Sequence, residues 1–230
     1  MAVVTGASRG LGRAFAAELV GRGWTVVVDA RDPGRLTEAV AAMPAPEAVT
    51  TIPGDVADPA HRARLAEAVE ALGGLDLLVN NASVLGPSPQ PRLVDYPLDA
   101  LTRVYAVNAV APLALVQRLL PALERRSGRI VDVSSDAAVE AYEGWGGYGS
   151  AKAALDQLTA VLAVELPHLR VYGFDPGDMA TDLHQQAYPG EDISDRPSPE
   201  SVVPALLRLV DGDLPSGRYR VADLAAVGLA

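Results

Sequence analysis

The chain is predicted to be an α/β protein built on one doubly wound parallel sheet of about seven strands, with helices on both faces. Three observations predict this. Short β-branched apolar runs alternate with longer Ala-, Leu-, Glu- and Arg-rich stretches of helical period. The alternation yields six βα units, and right-handed crossovers between them open the sheet in both directions. The 230 residues contain no long Gly/Ser- or Pro-rich linker, so a single domain, 1–230, holds the whole core.

The elements follow in order. "AVVT" (2–5) is the first strand, and a glycine-bearing turn leads into a helix near 11–22. "TVVVDA" (25–30) precedes a helix near 34–42, and "VTTI" (49–52) precedes one over 59–72. Asp58 before Pro59 marks that third helix with an N-cap and a proline at the first helical position. "LDLLVN" (75–80) leads to a long helix over 98–120, "RIVDVS" (129–134) to one over 149–166, and "RVYGFD" (170–175) to one over 199–211. "GRYRV" (217–221) is a weaker last strand. Leu183 to Pro199 is acidic, irregular and proline-bearing, which predicts a surface loop or substrate lid (183–199) over the carboxyl edge of the sheet.

Composition narrows the function. A formal charge of −10 and a pI near 4.7 disfavour a phosphate-tracking nucleic-acid protein or a polybasic membrane binder. Zero cysteine excludes a disulfide framework and a thiolate nucleophile. His61, His168 and His184 are scattered without H-E-x-x-H spacing, so no metal site is expected. The N-terminus enters a strand without a basic and apolar leader, and no apolar run reaches membrane-spanning length, so the expected compartment is the cytoplasm.

Open α/β sheets bind ligands beyond the carboxyl ends of their strands. After the first strand comes "TGASRGLG", whose Gly6, Gly10 and Gly12 suit a tight turn that lets backbone N–H groups approach a pyrophosphate; such turns also occur as plain βα connections. "GDV" (54–56) follows the third strand and "NNA" (80–82) the fourth, while Asn108 lies in the long helix. "SS" (134–135) ends the fifth, Tyr148-x-x-x-Lys152 opens the next helix, and "DPGDMATDL" (175–183) follows the sixth. Lys152 is the only lysine among 19 Lys and Arg residues. Reducing a carbonyl with a nicotinamide hydride requires a held dinucleotide, a polarised carbonyl and a proton source. Tyr148 and Lys152, four apart, share a helix face. A cation about 4 Å from a phenol, at an effective dielectric near 20, is worth roughly 4 kcal/mol, or about three pKa units, less what burial takes back. The phenol is therefore expected close to its working range.

In these motifs, in this order over about residues 2 to 183, the chain resembles the short-chain dehydrogenase/reductase family. The resemblance implies a Rossmann-type fold with Tyr148 as acid/base and Ser135 steadying the substrate oxygen. Lys152 would also hold the nicotinamide ribose, and Asn108 would anchor a water leading to Lys152. Ser135 is chosen over Ser134 because the family's usual Ser-to-Tyr separation of thirteen counts back to it, and Ser134 faces the other way in the strand. The resemblance further implies that Gly6, Ser8, Arg9, Gly10, Leu11 and Gly12 form the dinucleotide turn. It sets Asp55 and Val56 against adenine, and Asn81 and Ala82 along the adenosine ribose. Pro176, Gly177, Met179 and Thr181 would surround the nicotinamide, with Thr181 bonding its carboxamide. Plainer roles stand beside these: Asn80 and Asn81 can tie neighbouring strands, and Asp55 can cap a turn. The chain departs from the family in Ser83, where relatives commonly carry glycine, and in an ending without the usual glycine-rich stretch.

Cofactor choice turns on "VVVDARDPGR" (26–35). Matching this strand to the family puts Ala30 where NAD-using members carry an acid, followed at once by Arg31; Arg9 is a second basic residue common in NADP-using members. A guanidinium suits a phosphate dianion, so NADP(H) is favoured over NAD(H), with Asp29 and Asp32 as acids that reach the ribose if the register slips by one.

Val84, Leu85, Val139, Tyr142, Trp145, Met179, Leu183, His184 and Tyr188 flank the expected site as a largely apolar, aromatic pocket, and His184 reads as a surface helix-end residue. The long helices are apolar around much of their circumference, which with the family's habit points to a homodimer or homotetramer. The expected function is an NADP(H)-dependent carbonyl reductase or alcohol dehydrogenase acting on a small-molecule ketone, aldehyde or secondary alcohol. The alternatives are a non-catalytic, redox-sensing dinucleotide module on the same fold, or a dehydratase or epimerase of the same family.

Overall fold

A computed structural model describes residues 1–225; the end of the chain, 226–230, and with it the last part of the expected domain, lies outside the described residues. Seven parallel strands run in the order β3-β2-β1-β4-β5-β6-β7. They are β1 (Ala2–Val4), β2 (Val26–Ala30), β3 (Val49–Pro53), β4 (Leu77–Asn80), β5 (Arg129–Val133), β6 (Arg170–Asp175) and β7 (Gly217–Arg220). The strand order reverses between β1 and β4, so the crevice of a doubly wound sheet opens at their carboxyl ends.

Side chains alternate across each strand and so build two cores. On one face Val4, Val28, Val79, Val131 and Phe174 pack against α1 (Gly10–Gly21), α2 (Pro33–Ala41) and α8 (Pro199–Asp211) through Phe15, Leu19, Leu36, Leu206 and Leu209. On the other, Val3, Val27, Leu78, Ile130 and Val171 meet α3 (Pro59–Ala71) and α5 (Ala111–Glu124) through Leu65, Val69, Leu115 and Leu119. Each such side chain contributes about 1.5–3 kcal/mol by leaving water. The sheet needs both layers because its strands are apolar on both faces.

Helix starts follow local chemistry. Asp58 accepts from the Ala60 N–H at 2.9 Å ahead of Pro59, and Asp32 does the same for the Arg35 N–H at 3.0 Å ahead of Pro33. The long fourth helix is not uniform. α4 (Leu98–Tyr105) passes through a π-turn, Ala106–Val110, into α5. Pro112 has no N–H to offer the Asn108 carbonyl four residues back, which accounts for the wider turn.

Three expectations are corrected. The segment read as an irregular loop over 183–199 is partly helical, with α7 (Asp182–Ala187) capped by the Thr181 hydroxyl, which accepts from the His184 N–H at 3.2 Å. A short α9 (Val221–Ala225), unexpected from sequence, follows β7. The continuous helical run Leu98–Glu124 is long and apolar enough to cross a membrane, against the expectation that no such run exists. Its most apolar window is 56% buried within the protein, where Leu115 and Leu119 cover the sheet, so a core helix passes the same test.

Between α3 and the sheet lies a buried hydrogen-bonded pair. His61 Nε2 is 2.9 Å from Asp29, whose other oxygen accepts the Gly6 N–H at 2.8 Å. Gly54 makes room for the imidazole, since a Cβ there would lie 2.2 Å from His61 Nδ1. Replacing His61 with leucine leaves the Asp29 carboxylate buried with one partner, and urea unfolding at pH 7 should show a loss of about 3 kcal/mol. A loss below about 1 kcal/mol would show that the pair does not hold α3 to the sheet.

Candidate active site

The glycine turn after β1 is shaped by contact with β4. Gly6 and Gly10 have φ of 68° and 56°, the left-handed region that favours glycine. A Cβ on Gly6 would come within 2.8 Å of the Ala82 Cα. Asn81 fastens this approach: its amide donates to the Thr5 and Gly6 carbonyls at 2.8 and 3.2 Å, and the Thr5 hydroxyl accepts the Asn81 and Ala82 N–H groups, each at 3.0 Å. The side chain and the N–H of Asn81 are thus both spent on the strand tie. Asn80 likewise donates to Asp132 on β5 at 2.7 Å.

One cleft runs along the carboxyl edge of the sheet. It brings together Gly6, Ser8, Arg9, Gly10, Leu11, Arg31, Asp55, Val56, Asn81, Ala82, Ser135, Tyr148, Lys152, Pro176, Gly177, Met179 and Thr181. Two expected residues do not line it. Gly12 lies beneath Asn81, where a Cβ would sit 2.4 Å from the amide nitrogen. Asn108 is buried in the π-turn; its oxygen accepts the Val84 N–H and its amide donates to the Val84 carbonyl, both at 2.9 Å. That side chain therefore sets the loop after β4.

At the end of the cleft beside β2 and β3 the charges are sorted. Asp55 caps its own turn through the Ala57 N–H at 2.9 Å and pairs with Arg103 of α4. Burial raises its pKa, but that N–H and the guanidinium outweigh it and hold the carboxyl below its ordinary range. Arg9 pairs with Asp182. Arg31 is exposed at the cleft and makes no ion pair among the described residues. Asp29 is locked between His61 and Gly6, and Asp32 is spent on capping α2 and flanks Arg35, so the two acids left open by the sequence are both engaged elsewhere.

At the reactive end, α6 (Gly146–Glu165) buries both Tyr148 and Lys152. Lys152 Nζ donates to the Val133 carbonyl at 2.5 Å and lies 5.6 Å from the centroid of the Tyr148 ring. Burial lowers Lys152 to about 8, against the opposing pull of Asp156 and Asp132. Burial pushes Tyr148 up to about 12; the Ser83 and Ser135 hydroxyls pull it back while Asp136 raises it. This corrects the expectation of a phenol near its working range. The i, i+4 spacing places the ammonium nearby, but the helix takes both groups out of water, and desolvation of the phenolate exceeds the benefit of the cation. Ser135, two residues beyond β5, donates to Asp136 at 2.9 Å and accepts the Ala137 N–H at 3.2 Å.

Sequence reading missed parts of this site. Ser83, noted as a departure, places a hydroxyl beside Tyr148 and donates to Asn108 at 3.3 Å. His184, expected on the surface, is buried at the cleft, 3.6 Å from Asp178 and stacked on Tyr188 at 4.9 Å between centroids. Trp145 meets Tyr148 edge-on at 5.7 Å and Tyr188 at 6.1 Å, so an aromatic wall stands over the phenol. Val139 and Tyr142 are exposed, Leu85 is buried beneath, and neither these nor Tyr188 line the cleft, a correction to the expected pocket. Arg103, which no motif marks, lines it.

A sequence model of the short chain dehydrogenase family matches residues 1–192. The chain is 36% identical over 199 residues to a sepiapterin reductase of Mus musculus, covering 80% of this chain and 76% of the relative. It is 36% identical over 186 residues to a rhamnolipids biosynthesis 3-oxoacyl-[acyl-carrier-protein] reductase of Pseudomonas aeruginosa, covering 77% and 72%. Among solved structures, an alcohol dehydrogenase from the archaeon Thermococcus sibiricus complexed with 5-hydroxy-NADP superposes with a TM-score of 0.85 at 25% identity, covering 95% and 94% of the two chains.

The buried ammonium has a measurable signature in the ligand-free protein. Because the folded pKa of Lys152, about 8, lies below its ordinary 10.5, the unfolded chain binds more protons between these values. Stability contributed by this site therefore rises as pH increases from about 8 to 10.5 and is lost as pH falls back through 8. Compared with Lys152→Met at each pH, the wild type should gain up to about 3 kcal/mol across that window in urea unfolding. A difference independent of pH would place the ammonium in water.

Proposed function

The chain belongs to the short-chain dehydrogenase/reductase family, and from that membership we propose that it is an NADP(H)-dependent oxidoreductase of the carbonyl reductase type, interconverting a small ketone or aldehyde and its alcohol. The observation that carries this reading is the convergence of the glycine turn, Ser135, Tyr148 and Lys152 on one cleft. A sensor would need the turn but no buried phenol beside a buried ammonium.

The residues fit a dinucleotide. Left-handed Gly6 and Gly10 let the turn present backbone N–H groups, and Arg31 offers a guanidinium that makes no ion pair among the described residues. With Asp29 and Asp32 engaged, the electrostatics favour a phosphorylated ribose over a plain hydroxyl. When bound, the nicotinamide supplies or accepts the hydride. The protein's own task is the proton. The Ser135 and Tyr148 hydroxyls polarise the substrate oxygen, and Tyr148 donates its proton to the developing alkoxide. A phenol held near 12 is fully protonated at neutral pH and can serve as this donor. Lys152 restrains the phenolate that results, since an anion near an ammonium in a buried site costs less than an anion alone. In the reverse direction the same groups accept the alcohol proton.

Trp145, Leu183 and Met179 line the cleft and support a substrate with an apolar or aromatic body. Exposed Val110, Val161 and Val164 support association of copies into a homodimer or homotetramer. The acidic, cysteine-free composition supports a cytoplasmic setting.

Purified protein should oxidise NADPH with at least one member of a carbonyl panel; binding of NADPH without turnover of any member would favour the sensing module. Tyr148→Phe should lower turnover by at least about 100-fold while the NADPH Kd stays within roughly threefold, because it removes a proton and little cofactor contact. Turnover within a few-fold of wild type would sink the assignment. Arg31→Ala should weaken NADPH by about 10- to 100-fold and NADH by less than about twofold, since only the former brings a phosphate. Equal losses in the two dissociation constants would contradict the choice of NADP(H).

A further inference from the structure

Arg218 on β7 is far from the glycine turn, yet it touches three parts of the reactive end. Its Nε donates to Asp156 at 2.9 Å. Its Nη2 donates to the Ser135 carbonyl at 2.9 Å and to Asp175 at 2.9 Å. Asp156 lies one helical turn beyond Lys152 on α6. Asp175 ends β6, and its second oxygen accepts the Gly177 N–H at 3.0 Å, at the start of the segment that carries Met179 and Thr181. One planar guanidinium thus spans α6, the end of β5 and the end of β6.

Stability alone is a poor account of this arrangement. Asp175 and Asp156 are largely out of water, with side-chain exposures of 5% and 16%, and removing such charges from water offsets much of their attraction. An apolar cluster would hold the strands as well. What an ionic cluster adds is direction: a forked donor fixes three acceptors at defined angles, which an apolar contact does not.

We propose that Arg218 is a positioning residue of the reaction centre, holding the Ser135 backbone, the Pro176–Thr181 segment and the charge of Asp156 next to Lys152 in a single arrangement. This rests on the oxidoreductase reading above. Lys152 is faced by Tyr148 and Asp156 from α6 and by Asp132 and the Val133 carbonyl from β5; Arg218 and Asp175, on β7 and β6, join this set through Asp156. Without Arg218, Asp156 loses its counterion and acts undiminished on the ammonium.

Lys152 is the only lysine, so protein labelled with [ε-13C]lysine gives a single side-chain resonance whose titration reads this ammonium directly. Arg218→Gln should raise the midpoint by about one pH unit, a tenfold change in proton affinity. With NADPH and phenanthrenequinone as the carbonyl probe, kcat at saturating NADPH should fall about tenfold or more, and the pH–rate profile should shift with the lysine midpoint. Arg218→Lys should return the Lys152 midpoint towards the wild-type value without restoring kcat, because one ammonium keeps the charge and loses the fork. If Arg218→Gln does not fold, Asp156→Asn replaces it and should lower the midpoint. An unmoved lysine midpoint in a folded variant overturns the proposal, as does full kcat in Arg218→Gln. Failure of the wild type to reduce any carbonyl strikes the oxidoreductase reading instead, and the lysine titration still reports whether Arg218 governs the field at Lys152.

Discussion

The close approach of the ends of β1 and β4 sets the floor on which the cleft is built. Only glycine fits at position 6, because the Ala82 backbone occupies the place of a side chain, and the backbone donors and acceptors on both sides are tied by Thr5 and Asn81. The Gly6 N–H turns inward to Asp29, which brings His61 and α3 into the same assembly. The glycine turn is therefore anchored from β4 on one side and from β2 and α3 on the other. An anchored turn aims its remaining N–H groups before any ligand arrives, which lowers the ordering cost of binding.

Charge is distributed against the chain's average. The protein is strongly acidic, yet Arg9, Arg31 and Arg103 gather at one end of the cleft while Asp29, Asp132 and Asp175 are withdrawn into the interior. Withdrawn carboxylates are each matched by specific donors. Asp132 takes the Thr159 hydroxyl and the Asn80 amide, both at 2.7 Å, and burial still pushes its pKa up. Asp182 and Asp55 neutralise Arg9 and Arg103, which leaves Arg31 as the guanidinium at that end with no ion pair among the described residues.

Much of the fold was legible because it rests on local rules. Strand positions followed from β-branched runs, and the Asp58 start from capping chemistry beside proline. Most of the site was legible because its residues sit at strand ends in a recognisable order. What escaped depends on strand neighbours that periodicity does not reveal. Asp29 and His61 are 32 residues apart, and Arg218 reaches Ser135 across 83, so neither contact has a local signature. The spacing of Tyr148 and Lys152 showed that they share a helix face, but not that both leave water, and burial decides the direction of both pKa values. His184 was misread because α7 is too short to show a period, so nothing in the sequence marked its inner side.

The π-turn between α4 and α5 works as a phase shifter. Each residue advances an α-helix by about 100°, so one extra residue in a turn rotates everything beyond it by that amount. The residues before the turn answer to the cleft, with Arg103 turned towards Asp55 and Val104 buried, whereas those after it answer to the sheet through Leu115, Leu119 and Leu123. A uniform helix would have to index both surfaces with one angular count, and a change demanded by the ligand would propagate into the core. With the offset absorbed between Ala106 and Val110, the two stretches can drift in sequence independently. The same 27-residue rod can then carry new cleft residues at one end while the other keeps its grip on the sheet.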